Sequence, residues 1–287
     1  MVRTQWQQGM RSWRFWVTVG LTVFLFALTI QQYASAANVR AWSTDPQFYN
    51  FYTVTLAALG TYPESLWIVF VPVLATLPAG DILARDRRRG VDATVVTRIG
   101  WNKYLWGQLI ANATLACGAT ALAIAVTLTM VAMRYPITLP KFLGWRVDNA
   151  LPYRIKVSGV FGNTYGPTFH PHFFWAHPGL YVTVVIVVAL WATMTLASLA
   201  TAAGVWLRRP ILTLAVPTAL FWLGDFVASM VNETWAPSVM AGGYLAAGQT
   251  PSWVLALYWG IPALAVVVVI TQVTGCAKEW PSRSMEQ

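Results

Sequence analysis

Apolar and polar positions fall along this chain in long blocks rather than in short alternation. Residues 15–33 form an apolar run preceded by Arg3, Arg11 and Arg14. Residues 104–133 carry no charge at all, residues 178–207 end at Arg208-Arg209, and Pro210 opens a further run to 231 that contains Asp225. A last apolar run covers 252–276, and a weaker one covers 64–84, with an uncharged core at 65–80. Crossing the ~30 Å hydrocarbon core of a bilayer takes roughly 20 helical residues, and these runs have that length. The pattern predicts an all-α membrane protein, one transmembrane domain over 1–287 with about six helices, at 15–33, 64–84, 104–133, 178–207, 210–231 and 252–276. Residues 51–62 are apolar but stop at Pro63-Glu64, which predicts a short interfacial or re-entrant helix. Ala34-Ser35-Ala36 resembles a signal-peptidase site, but the preceding stretch is long for a signal h-region, so a retained membrane anchor is expected.

Composition agrees with the pattern. Hydrophobic residues make up 57% of the 287 and charged residues 10%, where a soluble protein carries about 25% charged residues. The net charge of +9 is explained by topology rather than by nucleic acid, because no basic run is interleaved with base-stacking aromatics. Of the nineteen Lys and Arg, thirteen lie in the N-terminal segment, between 85 and 103, at 208–209 and in the C-terminal tail. Cytoplasmic segments collect basic residues, so both termini are expected in the cytoplasm and the polar, Pro- and aromatic-rich stretch 134–177 outside. Many of the sixteen Trp, among them Trp13, Trp16, Trp175, Trp206 and Trp253, stand near the ends of apolar runs, as in interfacial aromatic belts. Cys117 and Cys276 fall in or at the end of runs and suggest no disulfide framework.

The densest charge lies between the second and third runs, in Leu83-Ala84-Arg85-Asp86-Arg87-Arg88-Arg89-Gly90-Val91-Asp92-Ala93-Thr94-Val95-Val96-Thr97-Arg98-Ile99-Gly100-Trp101-Asn102-Lys103. Val91, Val95 and Ile99 are four apart and form an apolar helical stripe, while Arg87, Arg88, Asp92 and Arg98 leave the other faces polar. A helix of this kind lies along a membrane surface. An acidic residue, basic residues and a Gly after the second span, then an amphipathic stretch with Thr-Arg and an aromatic before the third, resemble type-2 ABC exporter permeases. Asp86 stands where that family usually has Glu, and Gly107-Gln108 replace a Lys. The resemblance implies a cytoplasmic coupling helix seated in a cleft of an ATPase subunit, through Asp86, Arg87, Arg88, Arg89, Gly90, Val91, Val95, Arg98, Ile99 and Trp101. It also implies a homodimer or heterodimer with a second permease, driven by two ABC ATPase subunits. No Gly-x-x-x-x-Gly-Lys-[Ser/Thr] phosphate loop occurs in the chain, so ATP and Mg would be handled by the partner. The chain itself would be no enzyme and would need no cofactor.

His170, His172 and His177 are all the histidines of the chain. Three imidazoles this close would suit Zn or Cu, although no Cys, Asp or Glu lies between 149 and 207, and a packed extracellular loop explains them as well. Asp225 is an acid inside a span, where charge is costly, which points either to the translocation path or to local pairing. Glu64 and Glu233 sit near outer ends and read as interfacial. Ala-, Ser- and Thr-rich faces in the third and fourth runs are expected to pack closely. Two other functions remain open at this level: a structural subunit of a larger membrane complex, and a metal-handling protein using the histidine loop.

Overall fold

The computed structural model describes residues 2–38, 50–61, 66–78, 80–89, 91–137, 177–207 and 209–231, with a few positions between 260 and 267. All but those few positions of the expected sixth run, most of 134–177, Glu64, Gly90, His170, His172 and Glu233 lie outside the described residues. The described chain is all helical: α1 Val2–Arg11, α2 Trp13–Asn38, α3 Phe51–Leu56 continued by a π-helical turn Ala57–Thr61, α4 Leu66–Thr76, α5 Ile82–Arg89, α6 Val91–Ile99, α7 Trp101–Arg134, α8 Pro178–Trp206 and α9 Pro210–Val231. Four of these, α2, α7, α8 and α9, are long and apolar enough to cross a membrane, and the protein is an all-α membrane protein.

Local sequence explains the ends. The Ser12 hydroxyl accepts from the Phe15 amide at 3.4 Å, capping α2 and turning the chain out of α1. Asn50 caps α3 by accepting from the Thr53 amide at 3.0 Å, while Thr53 returns a bond to the Asn50 amide. Pro178 occupies the first turn of α8, where its missing N–H costs nothing. Gly100 has φ +81° between α6 and α7, a conformation that favours glycine.

Side-chain contacts fix the direction of each helix. Phe15 and Val19 of α2 pack in one cluster with Leu115 and Ala119 of α7, and Phe26, further along α2, packs in another with Ile124, further along α7, so α2 and α7 run the same way. The Phe51 amide donates to the Pro136 carbonyl at 3.0 Å just beyond the end of α7, whereas Asp81 pairs with Arg14 at the start of α2. The described residues between 51 and 81 therefore run from the Arg134 end of the bundle to the Arg14 end. The segment expected as one helix over 64–84 is not one. Its apolar helix α4 has 11 residues, about 16 Å, and a turn at Leu77–Asp81 separates it from α5. The traverse begins instead at Phe51, because α3 and its π turn are buried in the bundle: Val54, Leu56, Ala57, Ala58 and Leu59 are each 3% exposed or less. Residues 51–62 are thus interior rather than surface-lying over their described part.

The main core joins Phe26, Leu56, Leu59, Trp67, Val71, Tyr181, Val185, Ala192 and Phe221 from α2, α3, α4, α8 and α9. The most extensive helix pair is α7 with α8. Both carry fully buried alanines, including Ala111, Ala116 and Ala119 on one and Ala189, Ala192 and Ala200 on the other, and small residues let backbones approach closely. Outward positions are apolar too, such as Leu122, Val126 and Met130 on α7 and Leu220, Leu223 and Val227 on α9. An apolar exterior of this extent suits lipid. Threonines within the spans bond back to their own helix, as Thr22 to the Thr18 carbonyl at 2.8 Å and Thr127 to the Ala123 carbonyl at 2.9 Å. Each hydroxyl is then satisfied without water.

At 34 residues α7 is about 51 Å long, some 20 Å more than a hydrocarbon core requires. A ~30 Å core measured back from Arg134 ends near Leu115, the level of Phe15 and Arg14. Residues 101–114 of α7 then lie past that level, together with α5, α6 and the end of α8 at Thr201 and Gly204.

Candidate functional site

The part past that level has its own small core. Leu83 of α5, Tyr104, Leu105 and Leu109 of α7, and Ala202 and Val205 of α8 are buried together, with Val95 and Val96 of α6 and Trp101 packed against them. Leu83 lies directly over Gly204, where a Cβ would meet it at 3.4 Å. The charged segment singled out in the sequence therefore forms two helices, α5 and α6, fastened to the long helix that follows.

Asp86 faces inward from α5. Its Oδ2 accepts from the Tyr104 hydroxyl at 2.8 Å and from Gln108 Nε2 at 3.3 Å. Tyr104, Gln108 and Asn112 follow at four-residue intervals and share one face of α7. Gln108 and Asn112 are each 1% exposed. Asn112 continues the polar stripe across to α8, where its Nδ2 donates to the Thr201 hydroxyl at 2.9 Å. The spacing 104/108/112 in an otherwise apolar run is the sequence signal for this stripe. The pairing with Asp86, eighteen residues from Tyr104, has no such signal.

A second charged arrangement lies just above. Asp81 precedes α5, where an acid meets the helix dipole favourably, and it is 2% exposed. Both its oxygens accept from Arg14 Nη1, at 2.8 and 2.7 Å, and Arg85 Nη2 stands 3.1 Å from Oδ1. This triad ties the start of α2 to the corner between α4 and α5. Gly80 makes the corner possible, since a Cβ there would lie 2.6 Å from the Thr76 carbonyl and 3.0 Å from Ala200.

The other expected residues separate. Arg87, Arg88 and Arg89 complete α5 and Val91 opens α6. Val95 packs inward as expected, but its inward companion is Val96, while Ile99 is 36% exposed. Arg98 is exposed. Trp101 is half-buried, its ring 5.9 Å from that of Tyr104. Asp225 is half-buried on α9, one turn beyond the buried Thr213, Pro217 and Phe221, so it lies on the stripe that faces the bundle and not on the lipid side. His177 is exposed immediately before α8, and among the described residues no three His, Cys, Asp or Glu come together as a metal site. Comparison with protein-family models, curated proteins and solved structures finds no match for the chain.

Proposed function

We propose that the chain is the membrane subunit of an ATP-driven ABC exporter, coupling ATP hydrolysis by a separate nucleotide-binding subunit to movement of a substrate across the membrane. The observation that carries this reading is the packed unit of α5, α6 and the first turns of α7, which is built onto the end of α8 at the Arg14 end of the bundle. A docking surface that only held a partner would need no rigid link to a membrane helix. Here Asp86 is fastened to Tyr104 and Gln108 of the same α7 that continues to Arg134. In this reading the Arg14 end is cytoplasmic, as the distribution of Lys and Arg indicates. The two-part traverse over 51–81 is the second of six crossings and the run 252–276 the sixth. Arg98, exposed on α6, contacts the ATPase directly, whereas Asp86 transmits force within the chain. Asp225 faces the pathway or a second permease copy.

The test is a photoreactive amino acid placed at Arg98 in cells that make the chain at its native level. Cross-linking should capture an ATPase bearing a phosphate-binding loop, and the same probe at Met133, at the opposite end of α7, should not. Capture of a subunit without such a loop, or labelling of lipid alone, overturns the exporter reading.

A further inference from the structure

The helix that precedes the first crossing has no part in the function proposed above, yet its composition is one-sided. Arg3, Arg11 and Arg14 fall within the first 38 residues, and the first acid of the chain is Asp45. On α1, Trp6 and Met10 are four apart and share a face, while Gln7 and Arg11 share another. Met10 packs into the cluster of Phe15, Val19 and Leu115, and Gly9 lies against Leu115 of α7 so closely that a Cβ there would collide with it. The helix is therefore held against the bundle at the level where the hydrocarbon core ends. Its remaining surface is open: Gln7, Gln8 and Arg11 are exposed, and Trp6, Trp13 and Trp16 are 41%, 68% and 54% exposed.

From these contacts we infer that α1 and the start of α2 form a binding site for an anionic phospholipid. The Arg11 guanidinium meets the headgroup phosphate, and Trp6, Trp13 and Trp16 lie at the boundary between headgroups and acyl chains. Charge complementarity and position select this occupant. A cationic, acid-free helix lying at a membrane boundary with exposed indoles meets the surface of its own bilayer before any soluble molecule. Arg14 is engaged with Asp81 and its guanidinium carbon stands 6.0 Å from the Trp13 ring, so Arg11 is the described cation left to the headgroup. Because Gly9 seats α1 on α7, an occupied site would also stiffen the helix that carries Tyr104 and Gln108. The inference stands whether or not the chain moves a substrate.

The experiment uses the full chain in phosphatidylcholine nanodiscs, with a fluorophore on Gln8→Cys in a background of Cys117→Ser and Cys276→Ser. Spin-labelled phosphatidylglycerol should quench it more strongly than spin-labelled phosphatidylcholine at the same mole fraction, through a local enrichment of about fivefold. Arg11→Gln should bring the two lipids to equal quenching, Arg11→Lys should keep most of the difference, and high salt should abolish it in the parent protein. Equal quenching by both lipids in the parent overturns the site. A preference that survives Arg11→Gln or high salt overturns the role of charge.

Discussion

Two carboxylates five residues apart have different tasks, and substitution separates them. Asp81 is enclosed by two arginines that still reach water, with side chains 26% and 34% exposed. Losing a buried partner strands charge and costs about 3–5 kcal/mol. Asp81→Ala is expected at the lower end, about 3 kcal/mol, read as a fall in unfolding temperature in detergent. Part of that loss should return in the double variant with Arg14→Met. Asp86 and Tyr104 share one charge-assisted bond, so Tyr104→Phe and Asp86→Asn should each cost about 1.5–3 kcal/mol. A double-mutant cycle should find them non-additive, and additive effects would mean that the bond contributes nothing. These residues were only partly legible beforehand. Asp86 was singled out from its place in a charged run, which suggested a partner outside the chain. Its actual partners lie on a helix whose facing depends on tertiary packing. The histidines at 170 and 172 lie outside the described residues, and His177 is exposed immediately before α8.

The long helices were legible because their signal is simple: the uncharged run 104–133 became Trp101–Arg134, and 178–207 and 210–231 became α8 and α9 almost to the residue. Helices shorter than a crossing were legible as helices at 51–62 and at Val91 to Ile99, but not in where they pack. Residues 51–62 and 64–84 read as an interfacial or re-entrant helix and a complete span because Tyr62-Pro63-Glu64-Ser65 breaks the apolar pattern; contacts instead bury α3 and place Phe51 and Asp81 at opposite ends of the bundle. Helix α1 was missed altogether, since its amphipathic face is read against a bundle that the sequence does not display. The corners between elements rest on two glycines. Gly80→Val should cost about 1–3 kcal/mol through overpacking against Thr76 and Ala200, seen as a lower unfolding temperature. Gly100 has open space around its Cβ, so Gly100→Ala should lose only the conformational preference, about 1 kcal/mol, and Gly100→Asn, which tolerates positive φ, should lose less.

At the scale of the molecule, α2 and α7 run one way and α8 the other over the described residues, and this fixes which positions share an end of the bundle. In a background of Cys117→Ser and Cys276→Ser, single cysteines at Arg11 and Lys103 should react with a membrane-impermeant maleimide from one side, and a cysteine at Met133 from the other. Labelling of all three from the same side would refute the direction assigned to α7. That helix has a further consequence. It is one uninterrupted rod whose lower third is clamped to α5 and α6 and whose upper two thirds lie among the other crossings. A stiff rod pivoting at Leu115 has about 29 Å of its length beyond that point and about 21 Å before it, so a rock of about 10° carries its far tip about 5 Å sideways. Small strokes delivered at the clamped end would thus arrive magnified near Arg134, with the contact between Phe15 and Leu115 as the fulcrum.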